Sequence, residues 1–129
     1  MELECPEGVL QVGLPANQPT GASKLAMVKH YTPGNERRGE LPISIWSHDG
    51  LFQEVAAVAF TKNAVVVTGV NRDPLDATNI KAEICALDQA GKPLWRMPLP
   101  GVPTAWGLAL DGDGRMIVTL MDGRVLAFQ

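Results

Sequence analysis

The sequence predicts an all-β chain of short antiparallel strands, and three observations lead there. β-Branched and apolar runs of four or five residues recur, as in Val65-Val66-Val67-Thr68, Met116-Ile117-Val118-Thr119-Leu120 and Val125-Leu126-Ala127-Phe128, each bounded by turn residues. No window keeps apolar residues at i, i+3, i+4 and i+7 between good caps, and the Ala-rich run 55–60 is too short for a helix. Thirteen glycines and ten prolines in 129 residues supply many turns between short elements.

In chain order, Leu25-Ala26-Met27-Val28 reads as the first clear strand. Ile43-Ser44-Ile45 follows as a strand, with Ser47-His48-Asp49-Gly50 as its turn. Val58-Ala59-Phe60, a turn at Thr61-Lys62-Asn63 and Val65-Val66-Val67-Thr68 form a hairpin, and Ile84-Cys85-Ala86-Leu87 adds a third strand. Leu108-Ala109-Leu110, the turn Asp111-Gly112-Asp113-Gly114, the 116–120 run, the turn around Asp122-Gly123 and the 125–128 run predict a three-stranded meander over 106–128. Asp-Gly between apolar runs is the strongest short hairpin signal, and it predicts type I′ turns with φ above zero.

These elements repeat. The hairpin at 58–68 matches the one at 108–119, and the third strands follow with Ala86 and Ala127 standing 41 residues apart. Ser44 precedes Ala86 by 42 residues, so Ile43-Ser44-Ile45 is expected at the same place in an earlier copy. A period of about 40–45 residues with three or four strands per unit is the signature of a propeller blade. The expected architecture is therefore a partial β-propeller of roughly two to three antiparallel blades with three to four strands each. Its units are placed at 9–53, 54–103 and 104–129. Between second and third strands the polar stretches 32–40 and 71–81 read as long loops on one face, the expected surface for a protein partner.

Composition narrows the partners. Eleven Lys+Arg against fourteen Asp+Glu give a net charge of −3, with no basic stripe for a phosphate backbone, so no nucleic acid is expected. Residues 1–8 carry three glutamates and no apolar run, unlike a secretory signal. The longest wholly apolar run, 55–60, is too short to span a membrane. Cys5 and Cys85 allow a single bridge and no framework; Cys85, in an apolar strand pattern, is expected to be a small buried hydrophobe.

Ala86-Leu87-Asp88-Gln89-Ala90-Gly91-Lys92-Pro93-Leu94-Trp95 resembles the tryptophan-docking motif of PQQ-like (pyrroloquinoline-quinone type) β-propeller repeats. The copy is one residue short, and Ala90 stands where Thr is common. The layout of 44–128 is similar to the C-terminal blades of large secreted proteins of planctomycete-type bacteria. The resemblance implies that Ala86 ends a strand, Asp88 opens a turn, Gly91-Lys92 closes it, and Trp95 docks, buried, on a neighbouring blade. It implies secretion or a periplasmic location if the chain belongs to such a protein. Physically, Asp88 can accept turn N–H groups, Gly91 can supply a positive φ, and Trp95 offers a flat apolar surface.

Other candidates carry less. Trp106 is expected to open a strand and pack in the core or between blades, and Trp46 is read as core. Asp111 and Asp113 begin like a calcium loop, but the twelfth position is Asp122 and the sixth is not Gly114, so no metal site is assigned. His30 and His48 lack a nucleophile motif, and His48 reads as a solvated turn residue. Arg37-Arg38 lies among glutamates in a charge-balanced loop. No catalytic residue and no cofactor is assigned. The expectation is a noncatalytic structural or protein-interaction module. Its partners would be the remaining blades of a longer chain or another copy of itself, since about three repeats fall short of the four that close a propeller. The alternative is a segment of a quinoprotein-type oxidoreductase whose active residues lie outside these 129.

Overall fold

The computed structural model describes residues 2–5, 8–12, 24–29, 44–49, 51–73 and 75–128. The expected loop at 32–40, with Arg37 and Arg38, and His30 lie outside them. Among the described residues every regular element is a strand, and all pairings are antiparallel. The chain divides into two units, Met1–Leu51 and Phe52–Gln129.

The first unit holds one sheet in the order β1 (Glu2–Cys5), β2 (Gly8–Val12), β3 (Lys24–Val28) and β4 (Ser44–Asp49). Leu10 and Leu25 are fully buried, joined by Val9, Ala26, Met27, Val28 and Trp46. Gly8 is required by close approach, because a Cβ there would lie 2.1 Å from the Val28 carbonyl oxygen. Two expectations are corrected here. Ser47, His48 and Asp49 extend β4 instead of turning, because they pair with Ala26, Leu25 and Lys24. His48 is half-buried, its ring 5.7 Å from that of Trp46. The 42-residue interval also joins unlike places: Ser44 lies on the fourth strand of its sheet, whereas Ala86 lies on the third strand of the next.

The second unit holds two sheets, β5 (Glu54–Phe60), β6 (Val65–Asp73), β7 (Asp76–Leu87) and β8 (Pro93–Pro98), then β9 (Pro103–Leu110), β10 (Met116–Leu120) and β11 (Val125–Phe128). The 58–68 and 108–119 hairpins do correspond: Phe60 pairs with Val65 as Leu110 pairs with Met116. A core cluster runs through both sheets, from Val66, Val70, Ile84 and Ala86 to Met116, Val118 and Leu120. Strand β9 also runs beside β5, and Leu99 reaches the core in the short connection from β8. There the Leu99 N–H donates to the Ala82 carbonyl at 2.8 Å.

Residues 71–73 and 76–81, expected as a loop, are strand. Asn71 pairs with Lys81 and Arg72 with Ile80, so β6 and β7 continue as a two-stranded arm beyond β5 and β8. Polar side chains are compatible with a ladder whose bonds come from the backbone, and the turn shrinks to the tip, where Leu75 is almost fully exposed. The type I′ expectation is corrected as well. In the 111–114 turn only Gly114 has positive φ (80°), and in the 121–123 turn only Gly123 (93°), so Asp111, Asp113 and Asp122 keep ordinary backbone angles. One αL glycine closing each turn is the pattern of a type I turn with a following bulge.

Candidate functional site

Three turns gather at one end of the second unit: 61–64 between β5 and β6, 88–92 between β7 and β8, and 111–115 between β9 and β10. The first and third border an open cleft of about 630 Å³ between the two sheets, and β8, which follows the second, adds Leu94 and Trp95 to its lining. Val66, Ala86 and Met116 form its floor, Phe60 and Leu110 its sides, and Leu94 and Trp95 stand at its mouth.

The Asp88 and Asp111 turns are built alike. Asp88 Oδ1 accepts the N–H groups of Ala90 and Lys92, both at 2.8 Å, while Gly91, at φ 81°, donates its N–H to the Asp88 carbonyl. Asp111 Oδ1 accepts from Asp113 N–H (2.9 Å) and Arg115 N–H (2.8 Å), and Gly114 N–H donates to the Asp111 carbonyl. In both, an aspartate opens the turn and a positive-φ glycine followed by a basic residue closes it. Arg115 adds a side-chain contact, its Nε 2.7 Å from Asp111 Oδ2. The Arg115 N–H, with these other donors, holds the Asp111 carboxyl below the usual carboxylate range. Both oxygens of this rim carboxylate are thus engaged within its own turn.

The residues singled out by the docking motif fall into place unevenly. Ala86 is buried in the floor, Gly91 is buried in its turn, and Lys92 is exposed. Trp95 pairs with Ala86 across β7 and β8 and lines the cleft, yet it is 37% exposed. The indole stands on β8, the outermost strand of its sheet, and is partly covered by the described residues.

Asp122 and Gly123 lie at the opposite end. There Asp122 Oδ2 pairs with Arg124, whose guanidinium also donates to the Pro100 carbonyl at 3.0 Å. Met121 N–H donates to the Val102 carbonyl, so this turn is tied to the connection entering β9. The Arg124 side chain lowers the Asp122 pKa. Cys85 is fully buried as expected, and burial pushes its thiol up to about 11. Cys5 and Cys85 are not joined in a disulfide. Among the described residues, no group of three or more His, Cys, Asp or Glu is placed to hold a metal ion, and no helix is long and apolar enough to cross a membrane.

Trp106 departs from expectation. It lies inside β9, is 49% exposed, and has φ 59°, the one positive value outside glycine among the described residues. The pairing with β10 explains it. Pro103 faces Leu120 and Leu108 faces Val118, so residues 104–107 bulge out opposite Thr119 alone. Thr104 Oγ1 closes the bulge at 2.5 Å from Thr119 Oγ1. The sequence signal for this was Gly107 inside a strand pattern, a usual mark of a bulge.

The chain matches no family model and no curated protein.

Proposed function

We propose that this chain is a noncatalytic segment of a PQQ-like β-propeller, acting as a structural and protein-interaction module. One observation carries the reading. Each sheet of the second unit is a meander, the outer strand β8 leads through a four-residue connection to β9, and β9 returns beside β5, the first strand of the preceding sheet. That first-strand-to-first-strand order is how radially arranged blades follow one another. The continuous core from Val66 to Leu120 would then be the seam between blades, and the Trp95 cleft its outer end. The short apolar floor and the engaged Asp111 favour packing over acid–base chemistry at this seam.

Thermal melts of the chain alone, with excess calcium, and with calcium plus pyrroloquinoline quinone test the reading. A ligand that binds only the folded state raises the melting temperature by mass action. Unchanged melting temperatures are expected. A rise of several degrees would instead support the quinoprotein alternative.

A further inference from the structure

Asp-Gly occurs three times among the described residues, at 111–112, 113–114 and 122–123. A glycine has no side chain to keep its nitrogen from the aspartyl group before it. That nitrogen can attack the carboxyl carbon and close a five-membered succinimide, as the amide proton and the carboxyl hydroxyl leave together as water. Water then adds back at either ring carbonyl. Addition at the side-chain carbonyl restores aspartate. Addition at the main-chain carbonyl leaves isoaspartate, whose chain runs through the former side chain. The two steps need no oxidant, reductant or enzyme. Two of the sites are the same tripeptide, Asp113-Gly114-Arg115 and Asp122-Gly123-Arg124, so nothing local distinguishes them.

The fold separates them. Asp122 Oδ1 accepts the Arg124 N–H at 3.0 Å, and Oδ2 holds the Arg124 guanidinium through Nε at 2.8 Å and Nη2 at 2.6 Å. Asp111 is tied by three bonds, two from backbone N–H groups to Oδ1 and one from Arg115 Nε to Oδ2. Swinging either carboxyl onto the next nitrogen breaks its own turn. Both are also held below the usual carboxylate range, in the ionised form that does not release water. Asp113 has the opposite surroundings. Arg115, the partner its tripeptide supplies, is drawn to Asp111 and comes only to 3.6 Å from Asp113 Oδ2. The Asp113 side chain is 82% exposed, against 23% for Asp111 and 47% for Asp122. Its nucleophile, the Gly114 nitrogen, gives up one bond, to the Asp111 carbonyl at 3.2 Å.

We propose that Asp113 is a spontaneous modification site, converted to isoaspartate through the Gly114 nitrogen while Asp111 and Asp122 are spared. The site stands apart from the interaction-module reading and does not depend on it. The product carries one extra main-chain carbon between residues 113 and 114. The bonds from Gly114 N–H to the Asp111 carbonyl and from Arg115 N–H to Asp111 Oδ1 then lose their spacing. Asp111, Gly112 and Gly114 border the cleft, so ageing at Asp113 loosens that border.

Storage of the chain at neutral pH in heavy-oxygen water, once in buffer and once in concentrated urea, tests this when followed by peptide mapping with electron-transfer fragmentation. In urea the three sites should react at similar rates. In the folded chain Asp113 should outpace Asp122 by roughly tenfold, the factor for one bond to a charged group that must break first. Its product should carry an oxygen from the solvent. Arg124→Ala should raise the Asp122 rate several-fold and leave that of Asp113 unchanged. Asp113→Glu should abolish the modification in the 111–115 turn, and with it any quickening of Gly114 and Arg115 amide exchange on storage. Equal rates at Asp113 and Asp122 in the folded chain, faster reaction at Asp111, a preference that persists in urea, or an Asp122 rate indifferent to Arg124→Ala would overturn the proposal. If Arg124→Ala does not fold, the Asp113 to Asp122 ratio of the parent chain, in buffer against urea, still decides.

Discussion

Gln53 and Arg72 are joined amide to backbone: the Arg72 N–H donates to Gln53 Oε1 at 2.7 Å, and Gln53 Nε2 donates to the Arg72 carbonyl at 3.3 Å. The side chain thus reproduces the pair of bonds that a neighbouring strand would make, at the point where β5 has ended and β6 runs on. Gln53 N–H also donates to Asn71 Oδ1 at 2.8 Å, and Arg72 lies 3.6 Å from Glu54.

Gln53→Ala should therefore uncover one edge of the arm. Two hydrogen bonds are lost at a solvent-exposed place, so the cost to global stability should be about 1 kcal/mol. The local effect should be larger, with the Arg72 amide exchanging several-fold faster. Exchange measured residue by residue checks this, and an unchanged Arg72 rate would mean that the arm is held by its own ladder alone.

Gly107 is the tightest position of the Trp106 bulge. A Cβ there would lie 1.9 Å from Thr104 Oγ1 and 2.1 Å from Thr119 Oγ1. Both atoms belong to short branched side chains held to each other, so neither can swing away freely. Gly107→Ala should cost about 1–3 kcal/mol in urea denaturation, the usual range for overpacking. Gly112, with open space around its Cβ position and no positive φ, is the control: Gly112→Ala should be close to neutral.

Stability should have a plateau with a limb on each side. Asp76, Asp111 and Asp122 have carboxyl groups held below the ordinary value of 3.8, first by the Thr78 side chain, the Arg115 backbone N–H and the Arg124 side chain respectively. A depressed folded pKa means the unfolded chain binds more protons, so this contribution is present above about pH 4 and is lost as pH falls through the lower folded values. All three groups are solvent-accessible, so the acid limb should be shallow. Cys85 has the opposite sign. Its thiol rises from 9.0 to about 11 on burial, so its contribution is present below pH 9 and is lost as pH climbs toward 11. Urea midpoints from pH 2 to pH 11 check both limbs, and Cys85→Ala should flatten the alkaline one.

The residues 88–92, 111–115 and 120–124 declared their turns in the sequence, because an aspartate that accepts nearby N–H groups and a glycine that takes positive φ act over four or five residues. The β-branched and apolar runs of β6, β10 and β11 were legible for the same local reason, and so was the burial of Cys85. Tertiary structure decided the rest. Residues 71–73 and 76–81 became strand because Arg72 and Ile80 found each other's backbone, a bond that polar side chains do not advertise. Ser47, His48 and Asp49 became strand because β3 lay alongside. The angle of Trp106 was set by a register mismatch with Thr119, and the exposure of Trp95 by its place on an outermost strand. Local conformation follows from side chains a few residues apart. Register, edges and burial depend on backbone groups brought together from distant parts of the chain, and those groups are the same in every residue but proline.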